Sequence, residues 1–131
     1  MSKYLHKTNY GKNKTFKELI VWQKSHKLVL EIYRTTKSYP KEEVYALTSQ
    51  IRRASVSIAA NISEGYKKKT KASKLNFLNI SEGSLEEVKY YILLSKDLEY
   101  ITEKEYDNLE NMCNEVGRLI NGYSIGVSKN N

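Results

Sequence analysis

Five lysines crowd one short stretch of this chain: Lys67, Lys68 and Lys69 in a row, then Lys71 and Lys74. Ammonium groups at that density neutralise phosphates and release their counterions, which gives salt-sensitive binding with little sequence preference. The same run also fits a solvated loop that aids solubility, and the residues by themselves leave both readings open. Arg52 joins the nucleic-acid-binding candidates, because at helical spacing it falls about 100° from its neighbour Arg53, toward solvent or another subunit.

A second constellation is polar without being basic. Gln50, Arg53, Ser57, Asn61 and Glu64 share an arc of about 80° on a helix, a continuous seam. Buried polar groups need partners, so Arg53 is expected to pair with Glu64 or with Glu87 further along. The seam reads as a structural network or subunit interface before it reads as a ligand site.

Catalytic chemistry finds little material. His6 and His26 are the only histidines and Cys113 the only cysteine, so no zinc-ligand spacing exists. The segment Gly65-Tyr66-Lys67-Lys68-Lys69-Thr70 lacks the spacing of a phosphate-binding loop. Glu82, Glu86 and Glu87 have no Glu-x-x-His partner on another helix, which argues against a di-iron bundle. The expectation is a non-enzyme with no catalytic residue, metal, cofactor or small-molecule substrate.

The elements that must carry these groups are helical. Apolar residues recur at helical period and no stretch sustains strand-like alternation. Helices are predicted over about 16–38, 42–65, 71–99 and 103–122. The first stops before Tyr39-Pro40, where proline pushes its predecessor out of helical geometry. Gly65 suits the position just past the second helix, Thr70 can cap the third, and Thr102-Glu103-Lys104-Glu105 has the form of a capping box. Short connections force antiparallel neighbours, so the fold class is all-α, an up-down-up-down four-helix bundle. Residues 1–15 are expected as a flexible basic arm and 123–131 as a frayed tail. The word Asn-Ile-Ser-Glu-Gly occurs at 61–65 and 79–83, once ending a helix and once inside one, and is taken as coincidence.

Charge and face patterns extend the reading. The net charge of +7 divides into +12 over residues 1–74 and −5 over 75–131. That asymmetry suits a polyanion-binding face or charge-complementary packing of copies. Val44, Leu47, Ile51, Ala54, Ser55, Ile58 and Ile62 form the core stripe of the second helix. Between Val44 and Tyr66 only Arg52, Arg53 and Glu64 are charged, so this helix should be surrounded. Apolar residues of the first helix, Leu19 to Tyr33, cover roughly 200°, beyond the ~100° that a bundle needs. Self-association is the economical explanation. Gly83 and Ser84 are expected to meet the alanines of the second helix closely. A lone cysteine fits a reducing cytoplasm, no apolar leader opens the chain, and no membrane partner is expected.

These residues carry a pattern: Leu19-Ile20-Val21-Trp22-Gln23-Lys24, then Ile32-Tyr33 and Tyr39-Pro40. There follow the run Gln-Ile-Arg-Arg-Ala-Ser-Val-Ser-Ile-Ala-Ala-Asn-Ile-Ser-Glu-Gly from Gln50 to Gly65, and Gly83-Ser84-Leu85-Glu86-Glu87. The chain resembles, over about Phe16 to Ile120, the four-helix-bundle family of proteins encoded in intervening sequences of bacterial 23S ribosomal RNA genes. That family includes the accessory protein of diversity-generating retroelements. Ser81 departs from it, standing where alanine is usual. The resemblance implies a homo-oligomeric ring, typically a pentamer, with a basic surface suited to nucleic acid such as structured RNA. For the retroelement relative it also implies a reverse-transcriptase partner. It implies no catalytic activity.

Overall fold

The computed structural model describes residues 15–130. Apart from Thr15, the expected basic arm lies outside them. A 3-10 turn at Phe16–Glu18 leads into α1 (Ile20–Thr36), and another at Lys41–Glu43 precedes α2 (Leu47–Tyr66). Then follow α3 (Lys71–Asp97) and α4 (Glu103–Lys129), with no strand among the described residues. Each helix packs on its sequence neighbours, α2 and α3 most extensively, and α1 closes the bundle against α4.

The caps explain where helices begin. Thr70 accepts from the Ser73 N–H, and Thr102 with Glu105 forms the reciprocal capping box. Before α2 the chain makes its 3-10 turn, so the helix starts five residues later than its acidic residues suggest. Glu43 bridges the gap: its Oε1 accepts from the Leu47 N–H at 3.2 Å and its Oε2 from the Tyr100 hydroxyl at 2.7 Å. Val44 consequently sits outside α2 and is exposed.

The core is a ladder of aliphatic side chains. Leu28 and Ile32 of α1, Ile51, Ile58 and Ile62 of α2, Val88 and Ile92 of α3, and Leu109, Val116 and Ile120 of α4 are almost wholly buried. Full burial of each such side chain contributes about 1.5–3 kcal/mol. Leu98, at the C-cap of α3, is exposed. The α3–α4 turn is a Schellman motif: Tyr100 N–H donates to the Ser95 carbonyl, Glu99 N–H to that of Lys96, and Glu99 takes φ 64°.

Two expectations about glycine change. Gly65 lies within α2, not past it, and no glycine has positive φ among the described residues. It allows α2 and α3 to approach closely, since a Cβ on Gly65 would sit 3.0 Å from Phe77 Cβ. Gly83 is exposed with nothing within 4 Å of its would-be Cβ, so it makes no close helix contact. Ser84 does reach α2, donating to Ser57 Oγ at 2.8 Å. Ser81 is fully buried and donates to the Ile58 carbonyl at 2.9 Å, an interhelical bond that alanine could not make.

The tail also differs from expectation. α4 continues seven residues past Gly122 to Lys129, because Tyr123 and Val127 prolong its apolar stripe and pack on the core cluster.

Candidate nucleic-acid interface

The lysine run sits where α2 ends and α3 begins. Lys67 and Lys69 are exposed and Lys68 half-buried, its Nζ 5.0 Å from the Phe77 ring centroid. Lys74 folds back over the C-terminus of α2, its Nζ donating to the Tyr66 carbonyl at 2.8 Å and lying 5.7 Å from the Tyr66 ring centroid. A cation there satisfies carbonyls that a helix end leaves open. Burial, and secondarily Lys69, lower the Lys74 pKa from its ordinary value. Lys71 donates to the Ser128 carbonyl at 2.8 Å, tying the start of α3 to the end of α4.

These contacts enclose a half-open cleft of about 560 Å³ at this end of the bundle. Lys69, Lys71, Lys74 and Lys129 line it together with Tyr66 and Tyr123, and Leu19 and Val127 supply apolar wall. Gly122 and Gly126, one helical turn apart, also line it, and a Cβ on either would meet nothing within 4 Å. Among the described residues no carboxylate lines the cleft, and no ion pair involves its lysines or Lys67 and Lys68. The arrangement can hold an anion with an apolar body.

Lys129, Tyr123, Gly122 and Gly126 are absent from the sequence-based candidates. Their signal was available: Leu109, Cys113, Val116, Ile120, Tyr123 and Val127 keep one helical period through the segment expected to fray.

Arg52 is not part of this cluster. It lies fifteen residues from Lys67, about 22 Å along α2. Its Nε donates to Thr36 Oγ1 at 2.8 Å, a second nitrogen donates to the Tyr33 carbonyl at 3.3 Å, and the guanidinium lies 4.6 Å from the Tyr33 ring centroid. It binds the C-terminal turn of α1 to α2.

The seam on α2 is only half a network. Asn61 Nδ2 donates to the Ser57 carbonyl and to Ser57 Oγ, which Ser84 also reaches. Gln50, Arg53, Glu64 and Glu87 are exposed, and the expected ion pairs of Arg53 do not form. Water already satisfies these groups in a single chain, which removes the drive to pair.

Of the remaining candidates, His6 lies outside the described residues, and Cys113 and His26 sit apart on α4 and α1. Burial pushes the Cys113 thiol up to about 12, so it stays protonated. His26 stacks on Trp22, ring centroids 4.9 Å apart. No three His, Cys, Asp or Glu side chains among the described residues are grouped to hold a metal. No described helix is long and apolar enough to cross a membrane.

The bundle and its sequence can be set beside known proteins. Residues 17–122 match the model of the 23S rRNA-intervening sequence protein family. The chain belongs to that family. One solved member of the S23 ribosomal protein family, a protein of unknown function from Bacteroides thetaiotaomicron, superimposes with a TM-score of 0.75 at 29% identity. The match covers 80% of this chain and 95% of that one. No curated protein sequence matches significantly. The intervening-sequence family match ends at Gly122, so Tyr123, Gly126, Val127 and Lys129 of the cleft lie beyond it.

Proposed function

We propose that this family member is a non-enzymatic, cytoplasmic, homo-oligomeric protein that binds structured RNA through the lysine-rich end of its bundle. The observation that carries the reading is the gathering of Lys67, Lys68, Lys69, Lys71, Lys74 and Lys129 at one end, with no carboxylate among the described residues paired to any of them. Cations held together without counter-charge repel one another, and a phosphate backbone relieves that repulsion. The solved relative's description as a ribosomal-protein family member supports an RNA context.

Self-association draws on a separate feature. Leu30 and Tyr33 of α1, Val56 of α2, and Ile80, Tyr90 and Leu93 of α3 are between 39% and 58% exposed. Apolar side chains spread over three helices give a second copy of the chain surface to bury. A ring would repeat the lysine end around its rim and add avidity.

The test is binding of a structured RNA by the full chain against its K67E/K68E/K69E variant over a salt series. The variant should bind at least tenfold more weakly near 100 mM salt. Its dependence of log affinity on log salt should also be shallower, by roughly 0.7–0.9 for each phosphate no longer neutralised. Equal affinity and equal slope would sink the reading and favour recruitment of a protein partner instead.

A further inference from the structure

Tyr45 is 94% exposed, the most open of the large apolar side chains among the described residues, yet it does not sit on a loose loop. The Ala46 N–H donates to the Glu43 carbonyl at 2.9 Å and the Val44 N–H to that of Lys41 at 3.1 Å. The Glu43 carboxylate in turn accepts from the Leu47 N–H and the Tyr100 hydroxyl. Tyr45 is thus the tip of a turn pinned both to α2 and to the α3–α4 connection. A single exposed apolar side chain is ordinary, but Val44 beside it is 48% exposed and Leu98, on the connection that carries Tyr100, 45%. A tyrosine held out on a pinned turn is an interface anchor that loses little freedom on binding.

The charge around this tip is negative. Residues 37–46 and 97–105 hold six carboxylates against three lysines, and Glu42, Asp97 and Glu99 are exposed with no ion pair among the described residues. The opposite end of the bundle has the reverse character: residues 64–74 and 127–130 hold six lysines against Glu64 alone. There the half-open cleft of about 560 Å³ is lined by Leu19, Val127 and the bare backbone of Gly122 and Gly126, together with lysines that include Lys69 and Lys129. A protruding aromatic among carboxylates and a partly apolar cleft among lysines are matching halves of one contact.

The two halves cannot meet within one chain. Tyr45 precedes α2, whereas the cleft begins at the far end of that helix with Tyr66, and at 1.5 Å per residue about 30 Å separates them. Between copies they can meet, and a tip that fits a cleft elsewhere on the same molecule makes a head-to-tail contact that repeats without closing. We propose that the Tyr45 turn of one copy docks in the lysine-end cleft of the next, stacking the protein end to end. Carboxylates of the incoming turn then occupy lysines that the RNA-binding reading assigns to phosphate, so stacking and RNA exclude each other. That exclusion rests on the RNA-binding reading; the docking does not.

Sedimentation velocity of the full chain over a concentration series, at low and at high salt, tests the docking. The parent should grow into a ladder of heavier species at low salt and lose them at high salt, where exposed charges are screened. Tyr45→Ala removes almost no contact within the chain, and Gly126→Leu fills the cleft without changing charge. Each should raise the concentration needed for growth by about tenfold or more. Glu42→Lys/Glu99→Lys and Lys69→Glu/Lys129→Glu should each fail to stack alone, yet stack again when mixed, because every reversed end then finds an opposite one. Growth of Tyr45→Ala at the parent's concentrations, or a mixture that stays unstacked, would overturn the docking. Structured RNA added to the parent should disperse the stacks, and RNA that binds without dispersing them would overturn the exclusion. If instead the K67E/K68E/K69E variant binds RNA like the parent, the RNA-binding reading falls while Tyr45→Ala and the mixture still decide the docking.

Discussion

Gly65 and Phe77 bring α2 and α3 together just below the lysine turn: a Cβ on Gly65 would lie 3.0 Å from Phe77 Cβ and 3.6 Å from the Lys74 carbonyl. Phe77 Cβ is fixed to its backbone, so it cannot swing aside as a side-chain tip would. This contact sets how closely Lys67 to Lys69 approach the start of α3.

Replacing Gly65 with alanine should therefore destabilise the bundle by about 1–2 kcal/mol despite the better helix former. Gly83→Ala, with open space around it, should instead stabilise by up to about 1 kcal/mol. Paired urea denaturation curves check both, and equal midpoints for the two variants would contradict the packing argument.

Glu99 holds φ 64° at the end of α3, a conformation that strains a residue with a Cβ by about 1–2 kcal/mol. Glycine removes the strain and adds some freedom to the unfolded chain. The expected net is a gain of about 0.5–1 kcal/mol for Glu99→Gly, read as a rise in melting temperature.

Alkaline pH should unfold the protein by a route that its sequence composition hides. The Cys113 thiol is pushed from 9.0 up to about 12, chiefly by burial. Burial also raises the Tyr39 phenol, whose hydroxyl has no hydrogen-bond partner in the structure. Ser95 tempers that shift, but its own hydroxyl donates to the Tyr91 carbonyl. In both cases the folded state keeps a proton that the unfolded state releases, so stability is complete below about pH 9 and falls as pH rises. The decline should approach about 1.4 kcal/mol per pH unit for each group once its unfolded form is ionised. Cys113→Ala should flatten it in a pH-stability series, and a thiol reagent should label the native protein only as it unfolds.

Leu30→Glu combined with Val56→Glu should convert an assembly into monomers while leaving the helical content unchanged, because both side chains lie outside the core. Light scattering alongside circular dichroism distinguishes this from unfolding. An unaltered particle mass would exclude those positions from the interface.

Much of the fold was legible residue by residue. The stripe Leu47, Ile51, Ala54, Ser55, Ile58 and Ile62 is buried as its period requires, and the caps at Thr70 and Thr102 act locally. Boundaries were less legible where distant groups intervene. Glu43 starts α2 at Leu47 with help from Tyr100, and Glu99 turns the chain in a conformation that its residue type disfavours.

For the candidate site, sequence alone determined the lysine cluster, because adjacent residues stay adjacent in any fold. It also determined a helical period through Val127, although composition made that segment look like a tail. Only the tertiary structure brought Lys129, Tyr123 and the two glycines of α4 against Lys71 and Lys74, residues more than forty-five positions away. It likewise sent Arg52 to Thr36 and Tyr33, and left Arg53 and Glu64 without each other. Periodicity fixes which face of a helix a residue occupies, whereas the neighbour opposite that face is set by how the four helices pack.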